Sequence, residues 1–203
     1  TVTLIKHSSF YDFDWLISVE LSSNLETIGA GAFSNCYNIT DISLPESLTS
    51  IEYNAFYNCK GISNLTFPEN LTYIGSYAFG GSELEKVILP KSLTHLGSYA
   101  FYNCNSLIEV IIQDGLTELG GLAFSNCENL TLIDFPESLT HLGSHAFYNC
   151  ENLTNIDLPK NLVSIGPYAF FGCEQMTSIT IPEKKKKIGK SAFANCYNVE
   201  EIN

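Results

Sequence analysis

Seven cysteines and four histidines are the side chains best suited to metal, redox or nucleophilic chemistry, and their spacing decides how far that goes. Cys36, Cys59, Cys104, Cys127, Cys150, Cys173 and Cys196 stand 23 residues apart, with one interval of 45. No C-x-x-C pair occurs, and an odd number cannot all pair. Each lies three residues after the Phe of a recurring Ala-Phe pair, so they are expected to form one inward column. Neighbours about 5 Å apart would satisfy disulfide geometry, but as buried free thiols they act as small hydrophobes.

His95 and His141 fill the same slot two repeats apart with Glu118 between them, the sharpest metal candidate. At ~4.8 Å per strand the imidazoles start about 10 Å apart, too far to share an ion bound at ~2 Å. A solvated column with no metal is expected, and His145, beside Ala146 and Phe147, is read as surface or turn packing. There is no nucleophile elbow, Walker loop or H-E-x-x-H motif, so neither catalysis nor a cofactor is expected.

The element that must position all of these is a repeat. Leu139 to Pro159, LTHLGSHAFYNCENLTNIDLP, is its clearest copy, and the rest of the chain aligns to it with Phe at 10, 33, 56, 79, 101, 124, 147, 170 and 193. The steps are 23 residues with one of 22, which falls at Gly80 to Glu83, where Cys and its Asn are missing and a turn is shortened. One 23-residue slice cannot bury its apolar side, so stability must come from stacking Leu, Ile, Ala-Phe and Cys columns on neighbouring coils.

L-x-x-I-x-L alternates like a short strand and is closed by a Pro that cannot join a ladder. One strand per coil is expected, and nine coils at ~4.8 Å give a body about 40 Å long. The Gly after the inward Ile, interrupted by Glu52, points to a positive φ or a close backbone approach. The Asn before Cys is expected to bond turn backbone from coil to coil.

The expectation is one domain over 1–203: a divergent coil over 1–24, regular 22- or 23-residue repeats over 25–203, and no C-terminal cap. In the first coil Ser9 replaces Ala and Phe13 replaces Cys, and Tyr11 and Trp15 add bulk to cover the end of the core.

A formal charge of −12 excludes a phosphate-rich partner such as nucleic acid or an anionic membrane. No apolar run reaches the ~20 residues of a spanning helix, so no membrane insertion is expected. The basic run Lys184 to Lys187 places Lys185 in the inward Leu column, where its ammonium must snorkel and weaken the last coil. The Asn-x-Thr sequons at Asn38, Asn64, Asn70, Asn129 and Asn152 are by-products of a repeat that writes N-L-T.

The template L-x-x-I-G-x-x-A-F-x-N-C-x-x-L-x-x-I-x-L-P resembles the BspA-like leucine-rich repeat over essentially the whole chain. The resemblance implies a β-dominated, right-handed curved solenoid with a concave parallel sheet and little α-helix. It also implies adhesion or protein binding at a cell surface.

The working surface of such a solenoid is the concave face. The residues flanking the central Ile of L-x-x-I-x-L point away from the core. In most coils they are small, polar or acidic; in three they are Lys86 and Ile88, Glu109 and Ile111, Leu132 and Asp134. An apolar strip of Ile88, Ile111 and Leu132 bordered by Lys86, Glu109 and Asp134 is the candidate binding site. A second stripe, Tyr77, Tyr99, His145 and Tyr168 with Tyr57, Tyr102, Tyr148 and Phe171, is read as outer-side packing. The chain is therefore expected to be a non-catalytic domain of a secreted or surface adhesin that binds a protein or glycan. The alternatives are a structural spacer, or a non-catalytic part of a larger enzyme.

Overall fold

The structure, a computed structural model, describes residues 2–181 and 187–202. The repeat columns form the core: Phe33, Phe56, Phe79, Phe101, Phe124, Phe147 and Phe170 are fully buried, as are six of the cysteines. Phe rings of successive coils stack nearly parallel, 5.1–5.5 Å apart. Among the described residues there is no helix.

Most regular coils have two short strands where the alternation pattern indicated one. The first is the T-x-I segment, as in Thr27–Ile28, Ser50–Ile51 and His141–Leu142. The second is the L-x-x-I-x-L segment, as in Lys86–Leu89, Glu109–Ile112 and Leu132–Asp134. Where strands of neighbouring coils pair, they pair in parallel. The first strand gains a side-chain clamp: in Thr140 both the backbone N–H (2.8 Å) and the hydroxyl (2.9 Å) donate to the carbonyl of Thr117.

The Ala-Phe side carries a backbone ladder without being a strand. Phe101 N–H donates to Ala123 O at 2.8 Å, Phe124 to Ala146 at 2.9 Å and Phe147 to Ala169 at 2.7 Å. The flanking N–H groups follow the same direction, Tyr99 to Gly121 O and Asn103 to Ser125 O. Pointing all three along the axis requires left-handed backbone on both sides of the pair. Tyr99 has φ 61° and Asn103 φ 59°. The Asn before Cys is thus selected mainly for its conformation. The glycines after the inward Ile answer the other demand, close approach: a Cβ on Gly97 would lie 2.4 Å from Ser76 N.

Coil-to-coil ties to backbone come from a different Asn column. Asn129 Nδ2 donates to Asn105 O (2.7 Å), Asn152 to Glu128 O (2.9 Å) and Asn198 to Glu174 O (2.8 Å). The thiols tie coils as well, since Cys150 Sγ reaches Phe124 O at 3.1 Å and Cys173 reaches Phe147 O at 3.3 Å.

The shortened coil keeps its turn after Phe79. Gly81 (φ 70°) takes the Asn slot and Ser82, buried, takes the Cys slot beside Cys104 at 3.3 Å. The missing residue lies between Ser82 and Leu84, where only Glu83 spans a link that has two residues in the other regular coils. Just before that coil, Asn64 to Phe67 is not a strand, although its sequence alternates. The second face is accordingly split there, and again between Asp134 and Asn155; the first face is split between Leu96 and Glu118.

In the first coil Phe10 stacks on Phe33 at 5.1 Å, but Trp15 is 69% exposed, its ring tilted against Phe13. Trp15 therefore lies outside the core instead of covering it. Lys184, Lys185 and Lys186 lie outside the described residues.

Candidate functional site

The three expected site strands are adjacent and in register. Lys86 pairs with Glu109, Ile88 with Ile111, and Leu89 with Ile112; on the other side Leu132 pairs with Glu109 and Asp134 with Ile111. Val87, Leu89, Val110, Ile112 and Ile133 face the core, which turns Lys86, Ile88, Glu109, Ile111, Leu132 and Asp134 outward. Ile88 is 41% exposed, Leu132 is 50% exposed and Ile111 is half-buried.

Register places these apolar side chains diagonally. Ile88 and Ile111 share one column, Leu132 continues the column of Lys86 and Glu109, and Asp134 ends the column of the isoleucines. Between them Lys86 Nζ and Glu109 Oε2 form an ion pair at 2.5 Å. As a partly exposed pair it contributes ~1 kcal/mol or less, but it fixes both side chains across the patch. Ile108, one residue before its strand and 50% exposed, adjoins Leu132, whose N–H donates to Ile108 O. Reading only strand positions passed over it; an apolar residue where the other regular coils read Thr40, Ser63, Glu85, Thr131, Thr154, Thr177 and Glu200 was the available signal, shared only by Ile17 of the first coil.

The break beside Asn64 to Phe67 opens a depression of about 270 Å³ at the Ile88 edge, lined by Asn64, Thr66, Glu69, Lys86, Ile88 and Pro90. The patch is thus an aliphatic diagonal next to a shallow notch, with Glu69, Glu85, Glu109 and Asp134 around it. No aromatic ring faces outward from these strands.

The other candidates resolve into structural parts. His141 Nδ1 lies 2.8 Å from Thr140 Oγ1 and 3.9 Å from Glu118 Oε1, while His95 stacks on Tyr73 at 4.7 Å. Among the described residues no three His, Cys, Asp or Glu side chains gather as a metal set. Burial pushes the thiol of Cys150 up to about 12 and that of Cys196 up to about 11, the opposite of an activated nucleophile. The sequon residues Asn38, Asn70, Asn129 and Asn152 donate their amides to the preceding coil; Asn64 donates only to Ser63 Oγ, at 3.2 Å.

The aromatic stripe stacks as expected of packing. Tyr77 and Tyr99 lie 4.4 Å apart, His145 and Tyr168 4.9 Å, Tyr148 and Phe171 5.0 Å. Large rings alternate with small residues: Tyr57 lies over Gly80, where a Cβ would come within 3.1 Å, and Tyr102 reaches Asn126 past buried Ser125. The residue before Ala is left-handed in every regular coil. Gly31 and Asn54 adopt this readily, but Tyr77, Tyr99, Leu122, His145 and Tyr168 do so at roughly 1–2 kcal/mol each.

The BspA-type leucine-rich repeat region matches residues 1–108 and 94–203, in six copies. Among solved structures, a leucine-rich repeat protein of T. pallidum is 32% identical with a TM-score of 0.72, over 75% of this chain and 72% of that one. A leucine-rich cell surface protein of Faecalibacterium prausnitzii is 28% identical with a TM-score of 0.60; the match covers all of this chain and 63% of that protein. A leucine-rich repeat protein of Bacteroides ovatus, at 21% identity and a TM-score of 0.53, shares the fold over 99% of this chain and 82% of its own. Among curated protein sequences none matches. No helix among the described residues is long and apolar enough to cross a membrane. With its repeat, core columns and parallel coils matched from end to end, the chain belongs to the BspA-type leucine-rich-repeat family.

Proposed function

We propose that this chain is a non-catalytic binding domain of a secreted or surface adhesin, and that it takes a protein ligand on the face carrying Lys86, Ile88, Glu109, Ile111, Leu132 and Asp134. The observation that carries this reading is the aliphatic diagonal of Ile88, Ile111 and Leu132 around the Lys86–Glu109 pair, extended at its corner by exposed Ile108. Apart from Ile17 in the first coil, the outward positions elsewhere on this face are small, polar or acidic, so the patch is a local departure.

Aliphatic side chains without an outward ring suit apolar peptide side chains better than sugar faces, which favours protein over glycan. The bordering acids favour basic residues around the ligand's apolar anchor. The cell-surface description of the F. prausnitzii neighbour supports an extracellular setting. The test is attachment of the purified chain to host-cell and matrix proteins, with Ile88→Glu plus Leu132→Glu as the variant. Loss of attachment with an unchanged melting curve is expected. Unchanged attachment favours the spacer reading, and turnover in a hydrolase screen favours an enzyme.

A further inference from the structure

The side of the solenoid bearing the Ala-Phe pairs differs from the rest of the surface in charge. Residues 75–82, 97–104, 120–127, 143–150 and 166–173 contain no Asp, Glu, Lys or Arg in five consecutive coils. Half of those residues are buried, and the half on the surface carry no charge either. They offer Tyr, Ser, Asn and Gly instead. That composition gives rigid amphipathic rings, which lose little entropy on contact, and short adaptable polar groups.

In the same five coils the left-handed slot before Ala holds Tyr77, Tyr99, Leu122, His145 and Tyr168, where Asn54 and Gly31 show that cheaper residues serve the ladder equally well. The backbone therefore requires the conformation and not the bulky side chain. The row is also symmetric in kind: two stacked rings, Tyr77 and Tyr99 at 4.4 Å, stand on one side of Leu122, and two, His145 and Tyr168 at 4.9 Å, on the other.

We propose that this side is a second interaction surface whose partner is another copy of the chain, paired about a two-fold axis through Leu122. Charge selects that occupant. Copies carrying −12 repel each other over most of their surface, and this is the side on which they can meet without opposing like charges. Periodicity supports it, because two identical stacks have the same coil spacing, so each coil of one faces a coil of the other. Such an interface is isologous: Leu122 meets the partner's Leu122, Tyr99 meets the partner's His145, and Tyr77 meets the partner's Tyr168.

Sedimentation equilibrium across a concentration series tests it. The intact chain should approach twice its monomer mass, and raising salt should strengthen association by screening the remaining repulsion. Leu122→Lys, which sets two ammonium groups on the axis, should remain monomeric. Tyr99→Asn with Tyr168→Asn should weaken association at least about tenfold. Asn is at home in this slot, so the double variant should melt as a normally folded monomer. Ile88→Glu with Leu132→Glu should associate as before, separating this surface from the ligand patch. A chain that stays monomeric throughout, an association that survives Leu122→Lys, or one abolished by Ile88→Glu with Leu132→Glu overturns the proposal.

Discussion

The rings of Phe101 and Phe124 lie 5.2 Å apart and 1° from parallel. Each is fully buried, and each is flanked by another Phe of the same column. Because such contacts run only between adjacent coils, one lost ring leaves both neighbours without a partner face. Phe124→Ala should cost ~3–5 kcal/mol, and its unfolding transition should broaden as the halves on either side uncouple. Urea melts followed by circular dichroism measure both effects.

Asn152 and Asn64 occupy sequons of the same form but do different work. The amide of Asn152 donates to Glu128 O at 2.9 Å, whereas Asn64 touches only Ser63. Asn152→Asp turns a donor into an acceptor facing a carbonyl and should destabilise by about 1–3 kcal/mol. Asn64→Asp should be close to neutral. Paired thermal melts distinguish the two.

The thiol column makes alkaline stability a readout of burial. A thiol ionises ordinarily near 9.0, and the folded values of Cys150 and Cys196 are raised to about 12 and about 11. Below pH 9 the thiols are protonated in both states and have no differential effect. As pH rises above 9 the unfolded chain releases protons that the folded chain retains. For Cys150 and Cys196, stability should therefore fall by up to ~1.4 kcal/mol per pH unit each between the unfolded and folded values. Melting temperature against pH should show this fall, and Cys150→Ser should make it shallower. In the folded state at neutral pH, Cys196, half-buried, should react with a thiol reagent before the six buried cysteines.

The short link at Glu83 invites the reverse experiment. Inserting Asn between Glu83 and Leu84 restores the two-residue spacing of the other coils and supplies the missing tie to the preceding coil. Stability should rise by about 0.5–2 kcal/mol, the range of other consensus repairs. Amide exchange at Asn64 to Phe67 should slow if a ladder forms there.

The fold could be read from the sequence wherever a side chain's identity is dictated by burial. Phe, Cys, Leu and Ile recur because each must fill the same slice of core, so their columns map directly onto buried positions. The T-x-I strand was missed because two residues are too few to display alternation. The left-handed slots were hidden for another reason: Asn103 advertises such a backbone, but Tyr99 and Leu122 give no hint of it. Asn103 and Asn152 also look alike in sequence, although one is chosen for its φ and the other for its donor.

The site was legible in part. Alternation was enough to turn Ile88, Ile111 and Leu132 outward, because the buried Val87, Val110 and Ile133 fix the phase. Ile108 escaped since it sits at the corner before the strand, where alternation says nothing. The notch beside Ile88 depends on the absence of a strand at Asn64 to Phe67, and that segment's own pattern is indistinguishable from those that pair.

The repeating side-chain ties between coils span a single step: Asn198 reaches Glu174, Cys173 reaches Phe147, and Tyr99 rests on Tyr77. Duplicating or removing one whole copy of the repeat would therefore leave each remaining environment intact. The solenoid is in that sense a ruler graduated in coils about 5 Å thick. Copy number alone would set how far the Ile88 patch stands from either end of the stack, with no cost to the patch.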